Sequence, residues 1–228
     1  MGGELANGEN VKVHSAVNVS GLRKTFGQGD SAVAVLSGLG FALPAGSSLA
    51  LMGRSGSGKS TLLNILCGLE QADAGTVTLF GADGRTADWP CLRRERIGVV
   101  FQEANLMPTL SLLDNVRFRA ALAGQPETRC QHWLEVLDIG ELGQRFPDQV
   151  SGGQRQRAAL AMAFAMAPDL ILADEPTGSL DRNTANEVAD ELFRLQAETG
   201  CSLILATHDA ELAARCQQTL DLGHRSGG

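Results

Sequence analysis

The chain has 228 residues, with 26 acidic against 19 basic side chains and a net charge of -7 at neutral pH. That length supports one well-buried α/β domain or two very small ones, and the negative balance argues against a nucleic-acid partner held by counterion release. No apolar run approaches the ~20 residues that span a bilayer, and the start, Met1-Gly2-Gly3-Glu4-Leu5-Ala6, has neither the basic nor the apolar segment of a signal peptide, so a cytoplasmic chain is expected. Cys67, Cys91, Cys130, Cys201 and Cys216 are scattered without a CxxC pair and read as reduced thiols, not as a zinc site.

Residues 1–10 are polar and Gly-rich and read as a flexible tail, leaving a single domain over 11–225. From Val11 to Gly46 the apolar stretches Ala16–Leu22, Val33–Leu36 and Phe41–Leu43 alternate with glycines and predict strands and turns. Ser48–Met52 predicts a buried strand, followed by a Gly-rich loop and a helix over 60–69 with Leu63, Leu66 and Leu69 on one face. Ile97–Phe101 predicts another strand. The stretch from Leu112 to Leu137 is mainly helical in pattern, with Leu112, Val116 and Ala120 sharing a face, and Pro147 interrupts it.

Ser151 is placed to cap a helix that stops before Pro168. Leu170–Ala173 and Leu203–Thr207 have the unbroken apolar character of buried parallel strands. Between them Thr184 and Glu187 form a candidate capping box for a helix with Val188, Leu192 and Leu195 facing inward. Strands alternating with helices predict a parallel sheet covered on both faces.

Gly53-Arg54-Ser55-Gly56-Ser57-Gly58-Lys59-Ser60 fits GxxxxGK[ST] at every fixed position and sits between a strand and a helix. A triphosphate must meet several backbone N–H groups at close range, which needs few Cβ atoms and free φ. The helix beginning there turns its positive end to the phosphates. Lys59 then reaches the β- and γ-phosphates, the Ser60 hydroxyl ligates Mg²⁺, and Thr61 completes the ATP-binding set. Downstream, the strand Leu170–Ala173 runs into Asp174-Glu175. Asp174 is placed to hold Mg²⁺ through its water shell, and Glu175 to orient or deprotonate the attacking water.

The segments that follow narrow the class. Ser151-Gly152-Gly153-Gln154 resembles the signature motif of ABC transporter ATPases, Gln102 their Q-loop, Ser179-Leu180-Asp181 their D-loop, His208 their switch histidine and Phe26 the aromatic residue on which adenine stacks. The resemblance runs from about Val13 to Leu222 with all motifs in the family's order. It implies an α/β P-loop NTPase (RecA-like) nucleotide-binding domain with an antiparallel β subdomain and a helical subdomain inserted over about 103–165. It also implies ATP and Mg²⁺ as ligands and a homodimer of ATPase subunits. In that dimer Ser151, Gly152, Gly153, Gln154 and Asp181 act in trans, Gln102 joins the Mg²⁺ and water shell, and His208 contacts the γ-phosphate and positions Glu175.

Ala173-Asp174-Glu175-Pro176-Thr177-Gly178-Ser179-Leu180-Asp181 and Leu106-Met107-Pro108-Thr109-Leu110 resemble the bacterial lipoprotein-release and macrolide-export subgroup. Gly27-Gln28-Gly29 and Leu212-Ala213-Ala214-Arg215-Cys216 are most similar to its YbbA branch. The subgroup implies an FtsX-like permease as membrane partner and a site on the inner face of the bacterial membrane. The branch implies a link to a thioesterase and hydrophobic compounds. Val150 replaces the usual Leu before the signature serine, Phe26 the commoner Tyr, and Met162 a frequent Arg. Leu106, Met107 and Leu110 either form a docking contact for the permease or pack into the subunit's own helical core. A DNA-repair or translation ATPase is disfavoured because neither a coiled-coil insertion nor a second cassette is present. A scaffold that binds without hydrolysing is disfavoured because Glu175 and His208 are intact.

Overall fold

The computed structural model describes residues 15–223, so the tail expected over 1–10 lies outside the described residues. The chain opens with a long antiparallel pair, β1 (Ser15–Phe26) and β2 (Val33–Pro44). Gly21, at φ +60°, sits at a register shift between Val19 and Leu22, so a bulge carries one strand past the point where the apolar pattern breaks. There follow β3 (Ser48–Met52), α1 (Lys59–Leu66), β4 (Ala74–Leu79), β5 (Ala82–Asp83), α2 (Trp89–Glu95) and β6 (Ile97–Val100). Next come α3 (Leu112–Leu122), α4 (Thr128–Val136), α5 (Gly152–Ala165) and β7 (Leu170–Asp174). The chain ends on α6 (Arg182–Thr199), β8 (Ser202–Thr207), α7 (Ala210–Ala213) and β9 (Gln218–Asp221).

Two sheets result. One is antiparallel in the order β2-β1-β4-β5. The other is wholly parallel in the order β6-β7-β8-β3-β9. Side chains alternate across the parallel sheet into two cores, as the two-residue period of a strand requires. Leu170, Leu172, Ile204 and Ala206 join Leu49, Leu51, α1 and the antiparallel sheet on one face. Ile171, Ala173, Leu203 and Leu205 join α3, α4, α5 and α6 on the other. Strands buried on both faces are continuous apolar runs for this reason.

The helices differ from expectation at their ends. Helix α1 stops at Leu66 because Gly68 turns left-handed at φ +68°, which leaves Leu69 outside the helix and 61% exposed. The stretch 112–137 is two helices, since Gly124 at φ +68° and Pro126 separate α3 from α4. Helix α6 begins at Arg182, two residues before the Thr184/Glu187 box. Its cap is Asp181, whose carboxylate accepts from the N–H groups of Asn183 and Thr184 at 3.1 and 3.2 Å. Helix α5 is capped as expected: Ser151 Oγ accepts from Gln154 N at 3.2 Å and Gln154 Oε1 accepts from Ser151 N at 2.9 Å. Among the described residues no helix is long and apolar enough to cross a membrane.

Candidate active site

Four loops that carry chemistry leave the carboxyl edge of the parallel sheet, where open α/β sheets bind their ligands. The phosphate loop follows β3, Gln102 follows β6, Glu175 follows Asp174 at the end of β7, and His208 follows β8. One cleft takes its walls from all of them: Arg54 through Thr61, Gln102, Asp174, Glu175 and His208, with Phe26 at its rim.

The phosphate loop is built for close approach. Gly53 lies at φ +151°, and a Cβ there would sit 2.4 Å from Ser57 Oγ. Gly58 lies at φ +100°, and a Cβ there would sit 2.8 Å from Val35 Cγ1. Gly58 is also the N-cap of α1 and offers no side chain to it, so the first-turn N–H groups of the helix stay free for an anion. Ser57 Oγ is buried without a hydrogen-bond partner, the kind of orphan that a phosphate oxygen satisfies. Lys59 is buried and its ammonium donates to Gly53 O at 2.8 Å, which holds it along the loop.

Glu175 is the hub. Its backbone is left-handed at φ +47°, a strained conformation held by its N–H bond to Ala206 O at 2.9 Å. Both carboxylate oxygens lie 3.0 Å from His208 Nδ1, and Oε1 lies 3.5 Å from the Lys59 ammonium. The cleft thus joins a carboxylate, an imidazole and an ammonium within one contact network. The Ser60 hydroxyl and the Asp174 carboxylate line the same cleft. Among the described residues no group of three or more His, Cys, Asp or Glu could hold a metal by itself.

The signature residues stand elsewhere. Ser151, Gly152, Gly153 and Gln154 take no part in the cleft lining. They sit at the start of α5, with Ser151 exposed, Gly152 and Gln154 half-buried and Gly153 buried against the start of α6, where a Cβ would meet Thr184 Cγ2. Asp181 lies beside them as the α6 cap, and the Thr184 hydroxyl and amide hold its carboxyl below the usual range.

The family model described as ABC transporter matches residues 36–178. The chain belongs to the ABC transporter ATP-binding family. It is 44% identical over 219 residues to the protein named "Uncharacterized ABC transporter ATP-binding protein YbbA" of Escherichia coli (strain K12), covering 93% of this chain and 96% of that one. It is 39% identical over 215 residues to the "Macrolide export ATP-binding/permease protein MacB" of Rhodopseudomonas palustris (strain HaA2), covering 91% of this chain and 33% of that one. Among solved structures it resembles a dimeric post-hydrolysis state of the ATP-binding cassette MJ0796 bound to ADP and Pi. The TM-score is 0.82 at 32% identity, over 91% of this chain and 94% of that chain. This ABC subunit is therefore an ATP-binding, ATP-hydrolysing cassette of an ABC transporter.

Several side chains of the ABC site escape a motif reading. Val35 and Phe101 line the cleft beside Phe26. Ser179 Oγ donates to Gln102 O at 3.1 Å and ties the loop after β7 to the loop after β6, and Gln156 Nε2 donates to Phe101 O at 2.9 Å from within α5. Met162, where a surface Arg is frequent, is half-buried against the second core. Lys24 lies behind Phe26, and its signal was the i, i+2 spacing that puts both on one face of a strand.

Proposed function

We propose that two copies of this ABC subunit close on ATP and Mg²⁺, and that the pair drives an FtsX-like permease from the cytoplasmic face of the membrane. The observation that carries the reading is the separation just described. One copy holds a complete phosphate cradle and a Glu175–His208 pair, while its Ser151-capped helix start faces solvent away from that cleft. A second copy turned to face the first puts Ser151, Gly152, Gly153, Gln154 and Asp181 against the nucleotide. The MJ0796 cassette, which is dimeric with ADP and Pi bound, supports the pairing of two copies.

Within each site Lys59 and the loop amides hold the β- and γ-phosphates, and Phe26 stacks on adenine. Glu175 takes a proton from the attacking water, while His208 fixes its carboxylate and contacts the γ-phosphate. Ser60, Asp174 and the shell around Gln102 would hold Mg²⁺, which would supply charge neutralisation at the phosphates. We read one domain over 11–225, with a helical subdomain over about 103–165.

The membrane partner is supported by MacB, whose name joins an ATP-binding part to a permease in one chain. The likeness to the YbbA branch extends the partner set to a periplasmic thioesterase reached through the permease. Docking is read at the loop after Gln102. Leu106 packs against the subunit's own core, so the contact falls on Met107 and Leu110, which are half-buried. Asn115, fully buried, fixes that loop: its Oδ1 accepts from Met107 N at 2.7 Å and its Nδ2 donates to Met107 O and Leu110 O, each at 3.1 Å.

Tagged wild-type subunit is expected to co-purify with an integral membrane protein carrying a periplasmic domain. A charge placed in a desolvated contact costs several kcal/mol, so Met107→Glu or Leu110→Glu is expected to release the subunit from membranes while ATP binding persists. Retention of both variants on the membrane refutes the docking assignment.

A further inference from the structure

We propose that Lys24 is a positioning residue for the adenine platform: its ammonium packs on one face of Phe26 and fixes the ring so that the opposite face receives the base. This rests on the reading of Phe26 as the adenine-stacking residue. Lys24 and Phe26 lie two residues apart on β1, hence on one face of the strand. Lys24 is 9% exposed, unusual for a lysine, whose charged head is normally solvated.

Its position is fixed from several sides. The ammonium donates to Gln71 O at 2.8 Å, pairs with Glu70 Oε1 at 2.7 Å and lies 3.5 Å from Asp73 Oδ1. It sits 5.0 Å from the centre of the Phe26 ring. The strand is tied to the same loop, since Thr25 N donates to Asp73 Oδ2 at 2.6 Å and Asp73 N donates to Arg23 O at 2.9 Å. That loop follows α1, the helix that starts at the phosphate-binding lysine.

Phe26 itself is 43% exposed and lines the nucleotide cleft. An exposed phenylalanine on the last residue of a strand has freedom to lose when a base stacks on it. A cation held against the electron-rich ring face removes that freedom before the ligand arrives, and it leaves one face for stacking. The Glu70 hydrogen bond raises the Lys24 pKa above the usual lysine value, so the group remains a cation at working pH.

The test separates the base from the phosphates by measuring affinity for ATP and for inorganic tripolyphosphate, both with Mg²⁺, by titration calorimetry on the full chain. Phe26→Ala is expected to weaken ATP and leave tripolyphosphate unchanged. Lys24→Met is expected to weaken ATP about three- to tenfold, again with tripolyphosphate unchanged, and Lys24→Arg to restore ATP affinity. Lys24→Gln keeps a donor for Gln71 O without the charge, and it is the variant to read should Lys24→Met not fold.

A lysine variant that weakens both ligands alike shows a merely structural residue and overturns the proposal. Unchanged ATP affinity in the lysine variants, beside a weakened Phe26→Ala, overturns it while leaving the adenine reading intact. Unchanged ATP affinity in Phe26→Ala refutes the adenine reading itself, and the role of Lys24 with it.

Discussion

Glu175→Gln separates binding from hydrolysis in this cleft. The substitution preserves the shape of a side chain whose two oxygens lie 3.0 Å from His208 Nδ1, so the amide oxygen still accepts from the imidazole. It also preserves the left-handed backbone, since Gln tolerates φ +47° no worse than Glu does. What disappears is the base and one negative charge 3.5 Å from the Lys59 ammonium. Loss of a positioned general base costs about 10²- to 10⁴-fold in rate, equivalent to roughly 3–5 kcal/mol of barrier. The missing charge stood beside the phosphate-binding lysine, so ATP affinity is expected to hold or to tighten. Steady-state phosphate release, equilibrium nucleotide binding and a melting curve on one preparation measure all three quantities. Turnover within about threefold of wild type refutes Glu175 as the base. Lost ATP binding in a folded variant refutes the division of labour between Glu175 and the phosphate loop.

Lys59→Ala acts earlier: ATP affinity itself is expected to fall, and wild-type affinity by calorimetry contradicts the cradle. Gly58→Ala places a Cβ 2.8 Å from Val35 Cγ1 at φ +100°, and strain with overpacking is expected to cost roughly 2–5 kcal/mol, read as a lower melting midpoint and weaker ATP binding. Glu191 is held on α6 beside Arg157 of α5 at 3.2 Å, and burial pushes its carboxyl up to about 7 against the opposing pull of Arg157. A carboxyl raised above its unfolded value keeps its proton longer in the native state, so stability falls as pH rises from about 4.5 to about 7. Glu191→Gln is therefore expected to raise the melting midpoint relative to wild type at pH 8 and not at pH 4. An equal effect at both pH values contradicts the shift.

Much of this was legible in the sequence because buried parallel strands and tight phosphate loops leave patterns in the chain itself. Ser48–Met52 reads directly as β3, since a strand buried on both faces must be apolar throughout. Ser151 reads as a cap because its hydroxyl and Gln154 stand at the required spacing, and both bonds form. The Asp181 cap was masked by the Thr184/Glu187 pair, which has the same spacing but lies inside the helix. Leu69 fits a helical face by periodicity, and Gly68 ends the helix before it. The long β1–β2 pair was hidden because a bulged antiparallel strand changes faces midway and interrupts the alternation. Motifs gave the cleft residues one at a time. The chain order gave no sign that Ser179 bonds Gln102 O across 77 residues, nor that Lys24 meets the loop after α1.

The central claim, that ATP joins two copies through Ser151 of one and the phosphate loop of the other, is tested most directly by the mass of Glu175→Gln in solution. Light scattering on a sizing column with Mg²⁺ and ATP is expected to give about twice the 24.0 kDa chain mass, and the 24.0 kDa value when Ser151→Arg is added with nucleotide still bound. A mass of 24.0 kDa for Glu175→Gln at high protein concentration, with ATP demonstrably bound, contradicts the account.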